Sequence, residues 1–296
     1  MELIFVMSKY VIISDSTTDL TKELIEQNEL FIIPLEFSID ENSYFDNPYD
    51  VQLEAKDFYD ELRNGKIAIT SQINSARYTD FFEPFLKEGT DVLFLSFSSA
   101  LSGTYQSSCI ACADLKEKYP DRKIISIDTK SASMGEGLLV FHAARKKKEG
   151  MIIEQLAQWV EEHRLNLCHW FTVDDLNHLK RGGRISPTAA MVGTFLGIKP
   201  VLHVDDEGCL VPALKIRGRR QSLDTLVEQM ENTYDKSFRQ TVFISHGDSL
   251  DDAKYIEQKV REKFDVEDVI ISTIGPVIGS HSGPGTIALF FMGSKR

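Results

Sequence analysis

Short apolar runs rich in β-branched residues alternate, along the first half of the chain, with stretches whose apolar positions repeat at helical spacing. Tyr10-Val11-Ile12-Ile13 reads as a strand that ends in a polar turn, Ser14 to Asp19, after which Leu20, Leu24 and Ile25 keep a helical period. Phe31 to Leu35 resumes as strand, and Phe45 to Tyr49 reads as a loop around Asn47-Pro48. Phe58 and Leu62 mark a short helix closed near Gly65, Ile69 to Gln72 a brief extended piece, and Tyr78 to Leu86 another helix. Asp91 to Phe94 is a buried strand that leads through a hydroxyl-rich turn, Leu95 to Ser107, into a helix whose small residues, Ser107 to Ala113, suit tight packing. Lys123 to Asp128 is the next strand. Gly135 and Gly137 then form a tight turn into a helix that runs to Arg145-Lys146-Lys147-Lys148, and Ile152 to Val160 closes this half as an amphipathic helix. Strands alternating with helices predict a parallel sheet with right-handed crossovers.

The second half changes pattern. Leu167 to Val173 is a strand, and Leu179 to Ser186 a basic, glycine-rich turn. Ile198 to Val204 and Cys209 to Lys215 flank Asp205-Asp206-Glu207-Gly208, which predicts a hairpin. A basic stretch, Lys215 to Arg220, precedes a helix on Leu223, Leu226, Val227 and Met230. Strand Val242 to Ile244, a helix capped at Ser249, strand Val269 to Ile271, the turn Gly279 to Thr286 and a last strand, Ile287 to Phe291, complete the chain. The pattern predicts an α/β protein of two domains. Residues 1–165 form an N-terminal parallel sheet flanked by helices, and residues 166–296 a C-terminal α/β domain with a mixed sheet.

Composition narrows the function. A net charge of -12 argues against nucleic acid as a partner, because such binding is driven by cations that neutralise phosphates. The four cysteines lie mostly in apolar segments, as free thiols in a reducing compartment do. Cys109 and Cys112 have the spacing of half a zinc site, but no second pair follows, so no metal is expected. Met1 to Val6 lacks the basic flank of a signal peptide and no apolar run approaches the roughly 20 residues of a membrane span, which predicts a cytoplasmic protein. The basic residues 145–148 suit docking to an anionic membrane or partner, but they equally complement the dipole of their helix, which is the favoured reading.

Candidate chemistry gathers at strand ends. In parallel sheets ligands bind beyond the carboxyl ends of the strands, where Asp15-Ser16, Thr70 and Ser98 to Thr104 all fall. Ser102, Gly103 and Thr104 precede a helix whose first backbone N–H groups favour an anion. The competing reading treats these hydroxyls as helix caps alone.

Taken together, several motifs resemble the DegV family in order and spacing. They are Asp15-Ser16, Thr70-Ser71-Gln72, Ser99 to Tyr105, Asp128 with Ser133-Met134-Gly135, Leu179 to Arg184, and His281 to Thr286. The resemblance runs from about Tyr10 to the end. It implies two α/β domains that hold a long-chain fatty acid between them as the binding subunit of a bacterial fatty acid kinase. Such a subunit presents the acyl carboxylate to a separate ATP-using subunit, which makes an acyl phosphate for phospholipid synthesis; it needs no cofactor and performs no catalysis alone. By this likeness Thr70, Ser102, Gly103 and His281 contact the carboxylate, and Asp15, Ser16, Ser71, Ser99 and Thr104 support the site. Arg184 and Arg217 are candidates for kinase docking or for the phosphate side. Transient membrane contact for lipid exchange belongs to the same role. One departure is Ile73-Asn74, where the family often has Pro-Ser.

Elementary energetics agree with that chemistry. Burying a roughly 16-carbon tail at about 0.8 kcal/mol per methylene contributes on the order of 12 kcal/mol. The head group then needs hydrogen bonds, because a carboxylate leaving water unpaired costs several kcal/mol. Neutral hydroxyls and backbone N–H groups supply these without quenching a carboxylate already ionised near pH 7. The rival is a hydrolase with Ser102 as nucleophile, His281 as base and Asp15 as orienter, although the Gly-x-Ser-x-Gly elbow is absent.

Overall fold

A computed structural model describes residues 9–186, 197–237 and 239–296. The first sheet is four-stranded and fully parallel, in the order β2-β1-β6-β7: β1 Tyr10–Asp15, β2 Leu30–Ile33, β6 Asp91–Ser96 and β7 Ile124–Asp128. Every residue of β1 and β6 is buried, as expected of parallel strands covered on both faces. The second sheet has six strands in the order β10-β9-β8-β13-β11-β12, comprising β8 Leu167–Thr172, β9 Ile198–Val204, β10 Leu210–Arg217, β11 Thr241–His246, β12 Asp268–Thr273 and β13 Ile287–Met292. Only β11 and β12 run parallel there, so the sheet is mixed.

The helices among the described residues are α1 Lys22–Gln27, α2 Ala55–Arg63, α3 Ser75–Lys87, α4 Thr104–Lys118, α5 Met134–Lys148, α6 Ile153–His163, α7 Asn177–Arg181, α8 Arg219–Thr233, α9 Leu250–Lys263 and α10 Pro276–Ser282. The two sheets meet across α5. Residues 134 to 140 of this helix are all buried, because it packs against β1 on one side and against β8, β11 and β13 on the other. A helix stretch buried on all sides belongs in such a place, and its one carboxyl, Glu136, is bonded by the Ser14 and Thr17 hydroxyls. One continuous core therefore includes Ile12 and Leu93 of the first sheet, Leu138 and Leu139 of α5, and Phe243 and Phe290 of the second sheet. No helix among the described residues is long and apolar enough to cross a membrane.

Several local expectations change. The strand expected over Phe31 to Leu35 is cut at Pro34, which has no N–H for a ladder. Its second part, β3 Leu35–Ile39, joins β4 Asn42–Asp46 and β5 Ala68–Ser71 in a separate antiparallel sheet of order β4-β3-β5. Phe45 thus lies in a strand rather than a loop, and Thr70 reaches the site from this small sheet. Gly135 and Gly137 sit inside the first turn of α5 and serve close approach: a Cβ would come within 2.1 Å of His169 Nε2 at the former and within 2.7 Å of the Thr18 carbonyl at the latter. Ser249 occupies the N-cap of α9, yet its hydroxyl donates to Asp252 and caps no backbone N–H. The segment expected to turn from Gly279 onward is first a helix, α10, which begins at Pro276 and stops at Gly283. Gly283 has φ 78°, and its Cα lies against the His178 ring, so both the conformation and the space require glycine.

Candidate functional site

A cavity of about 290 Å³ opens between the two sheets at the carboxyl ends of the parallel strands. Its apolar wall combines Leu35, Phe97, Leu101, Val277 and Ile278 with Phe171, Val204, Leu210, Ala288 and Phe290 of the second sheet. The polar groups collect mainly at one end: Thr70, Ser71, Gln72, Ser102, Arg184, His281 and Ser282.

Four segments carry that polar end. Thr70 sits near the end of β5, His281 is on the last turn of α10, and the Thr70 hydroxyl lies 2.8 Å from His281 Nε2. Ser102 precedes α4, where its Oγ accepts from the Thr104 N–H at 3.2 Å and lies 2.9 Å from the Thr104 hydroxyl. Ser102 therefore lines the cavity and also accepts from the first N–H of α4, one residue before the N-cap Gly103. Gly103 keeps its Cα under the Gln72 side chain, and a Cβ there would stand 2.3 Å from Gln72 Oε1. Arg184 donates from Nε to the Leu101 carbonyl at 2.9 Å and from Nη1 to the Gly182 carbonyl at 2.5 Å. These bonds tie the loop before α4 to the turn after α7, and they leave a cation beside the hydroxyls where uncharged donors alone were expected.

Burial, with Arg184 nearby, pushes the His281 pKa down to about 4, so the imidazole is neutral near pH 7. Its Nδ1 is buried without a hydrogen-bond partner among the described residues, as is the hydroxyl of Ser282 next to it. The orphaned Ser282 hydroxyl beside an apolar cavity is a group that a polar ligand head would satisfy, whereas His281 Nδ1 lies against Gly182, where a Cβ would stand 2.2 Å from it. Ser282 and Gln72 were not singled out from sequence. Ser282 follows His281 in a glycine-rich frame, and only its burial and missing partner mark it.

The supporting residues divide. Ser71 lines the cavity, whereas Thr104 is wholly buried behind Ser102. Ser99 faces away and donates to Asp128 at 2.6 Å. Ser16 accepts from the Leu35 N–H at 3.0 Å, which fixes the small sheet to the first one. Asp15 lies behind Thr17, whose hydroxyl contacts both the Asp15 carboxyl and, at 2.8 Å, Glu136. A single hydroxyl proton serves only one of two acceptors, so a carboxyl proton completes the pair. Burial correspondingly raises Asp15 to about 6 and holds Glu136 and Asp19 well above the usual carboxylate range. Ser133, in a strained backbone conformation with φ 54° and ψ -148°, lines the cavity and donates to Asp19 at 2.5 Å. Glu136 and Asp19 behind this wall are therefore protonated and uncharged near pH 7, whereas Asp15 loses its proton as pH rises through about 6. Arg217 is outside the cavity, exposed on the edge strand β10.

The hydrolase arrangement is not assembled. His281 Nε2 is engaged with Thr70, Ser102 with Thr104, and Asp15 with Thr17, so no Ser–His–Asp relay forms among the described residues.

Comparison with known proteins follows the same lines. The family model described as "Uncharacterised protein, DegV family" matches residues 9–294. The DegV domain-containing protein CPE0026 of Clostridium perfringens is 48% identical over 290 residues, covering 98% of this chain and 99% of that protein. Among solved structures, a fatty-acid-binding DegV family protein from Thermus thermophilus superposes with a TM-score of 0.86 at 28% identity, over 96% of this chain and 99% of that one. DegV of Bacillus subtilis, described as a fatty acid binding protein, gives 0.83 at 28% identity over 97% and 100%. With motifs, fold and relatives in agreement over nearly its whole length, the chain belongs to the DegV family.

Proposed function

We propose that this protein binds a long-chain fatty acid, its tail in the apolar cavity and its carboxylate among Thr70, Ser102 and His281, with the Gly103 segment and Ser282 beside them. The observation that carries this reading is an apolar cavity closed at one end by hydroxyls, that of Ser282 orphaned, and by a neutral histidine. The tail supplies the affinity, and the hydroxyls offset the cost of taking the head group out of water.

The same geometry suits a carrier that works with a separate ATP-dependent kinase subunit. An ionised carboxylate held by hydroxyls and a neutral imidazole, with the Arg184 cation alongside, keeps a free lone pair, attacks the γ-phosphorus of ATP brought by the partner, and releases ADP to give an acyl phosphate. Arg184 stands on the side where phosphate charge arrives, and Arg217 on the outer strand is placed for docking the partner. The carrier itself turns nothing over, resides in the cytoplasm, and meets the membrane transiently to exchange lipid. We place the boundary between its two domains after residue 165.

Organic extraction of the purified protein followed by mass spectrometry tests the core of this reading. A stoichiometric, intact fatty acid is expected; no acyl chain, together with ester hydrolysis that is lost in Ser102→Ala, would overturn it.

A further inference from the structure

His169 has no part in the carboxylate reading, yet it lines the same cavity. It lies on β8 two residues before Phe171, so both rings project from one face of the sheet. Across the ladder it pairs with Phe290 of β13, whose ring meets it edge-on at 5.5 Å between centroids. Gly135 makes room for it, since a Cβ at that position would stand 2.1 Å from Nε2.

The ring is 2% exposed, and neither Nδ1 nor Nε2 has a hydrogen-bond partner among the described residues. The Leu167 carbonyl is nearby but completes no hydrogen bond of ordinary geometry. Burial keeps the imidazole neutral, with its pKa well below the usual histidine range, so it offers one N–H and one lone pair. On the opposite wall the hydroxyls of Thr17 and Ser133 are already committed to the buried carboxyls. A phenylalanine or leucine would fill this place without the cost of an unpaired polar ring. His169 also sits away from the head-group end. The sheet reaches the loop that follows Ser282 and bears Thr286 at the pair Thr172–Ile287, and His169 is three residues deeper, roughly 10 Å at about 3.3 Å per residue.

We propose that His169 reads a hydroxyl group carried part-way along the acyl chain, so that the cavity selects a hydroxylated long-chain fatty acid over the unsubstituted one. The inference rests on the carrier reading above and goes beyond it by naming the class of acyl chain. The ligand hydroxyl completes the ring's hydrogen bonding, and an unsubstituted chain leaves it orphaned; sites built around a polar partner discriminate strongly against analogues that lack it.

The test is titration of the delipidated, full-length protein with octadecanoic acid and with octadecanoic acids hydroxylated at successive mid-chain positions. It is run on the wild type, His169→Phe and His169→Gln. At one position the hydroxy acid is expected to bind the wild type about 10-fold more tightly than the plain acid. His169→Phe should abolish or invert that ratio, and His169→Gln, which keeps a donor and an acceptor, should retain part of it. The proposal is overturned if the plain acid binds the wild type as tightly as every hydroxylated isomer, or if His169→Phe leaves the ratio unchanged, while the carrier reading survives both results. Binding of neither acid would remove the carrier reading and this inference together.

Discussion

Thr70 and His281 are 211 positions apart in the chain, yet the Thr70 hydroxyl lies 2.8 Å from His281 Nε2. One residue comes from the small antiparallel sheet and the other from a seven-residue helix near the C-terminus. Their contact closes the polar end of the cavity, and the predictions below act on that end or on the wall behind it.

The double variant Thr70→Ala, Ser102→Ala removes two hydroxyls facing the proposed carboxylate. Fatty acid affinity should fall by roughly 10- to 100-fold, the loss that comes with stranding a buried polar group. Titration with a long-chain acid measures it, and unchanged affinity would remove both residues from the site.

His281→Ala should affect the coupled kinase reaction more than binding, because a neutral ring beside the head group settles charge that develops when phosphate arrives. Its pKa of about 4 also implies that ligand-free His281 does not titrate between pH 6 and 8. Nuclear magnetic resonance of the ring checks this: a midpoint near 6.5 would mean that the site is open to water.

Arg184 and Arg217 should separate cleanly. Arg184→Gln breaks the ties to the Leu101 and Gly182 carbonyls and disorganises the cavity rim, so bound lipid should drop. Arg217→Glu, on an exposed edge strand, should leave lipid content intact and lower the rate of acyl phosphate formation with the kinase subunit. Loss of lipid in Arg217→Glu would contradict this assignment.

Asp15 tests the buried acid wall. Its folded-state pKa of about 6 lies above the ordinary value of 3.8, so folding favours the protonated form. The resulting stability is fully present below about pH 4 and is lost as pH rises through about 6. Asp15→Asn keeps an acceptor for the Thr17 N–H and cannot ionise. Relative to wild type it should gain on the order of 2–4 kcal/mol between pH 4 and pH 8, read by urea unfolding at both values. Parallel pH profiles for the two proteins would show that Asp15 does not titrate in this range.

The local pattern of the chain determined much of the architecture. The β-branched run Val11 to Ile13 and the apolar run Val92 to Leu95 both mark strands, and the hairpin at Asp205 to Gly208 follows from turn chemistry. The ordered motifs around Thr70, Ser102 and His281 likewise identified the family from sequence, because each is a short contiguous signature. Pro34 shows the limit of that approach: whether a proline ends a strand or redirects it into another sheet depends on which partner lies beside it, and that is a long-range matter.

The tertiary structure decided which of the singled-out residues meet. Arg184 and Arg217 look alike as basic residues near glycines, and only the packing of the turn after α7 against the loop before α4 brings one of them into the cavity. Ser99 and Ser102 stand in one motif, yet a bond to Asp128 turns the first away. The buried acids behind Thr17 and the unpartnered ring of His169 carry no sequence signal, since burial and missing partners are properties of two surfaces brought together. Sequence fixes a residue's chemistry and its local face; the free energy of that chemistry is set by what lies across the interface.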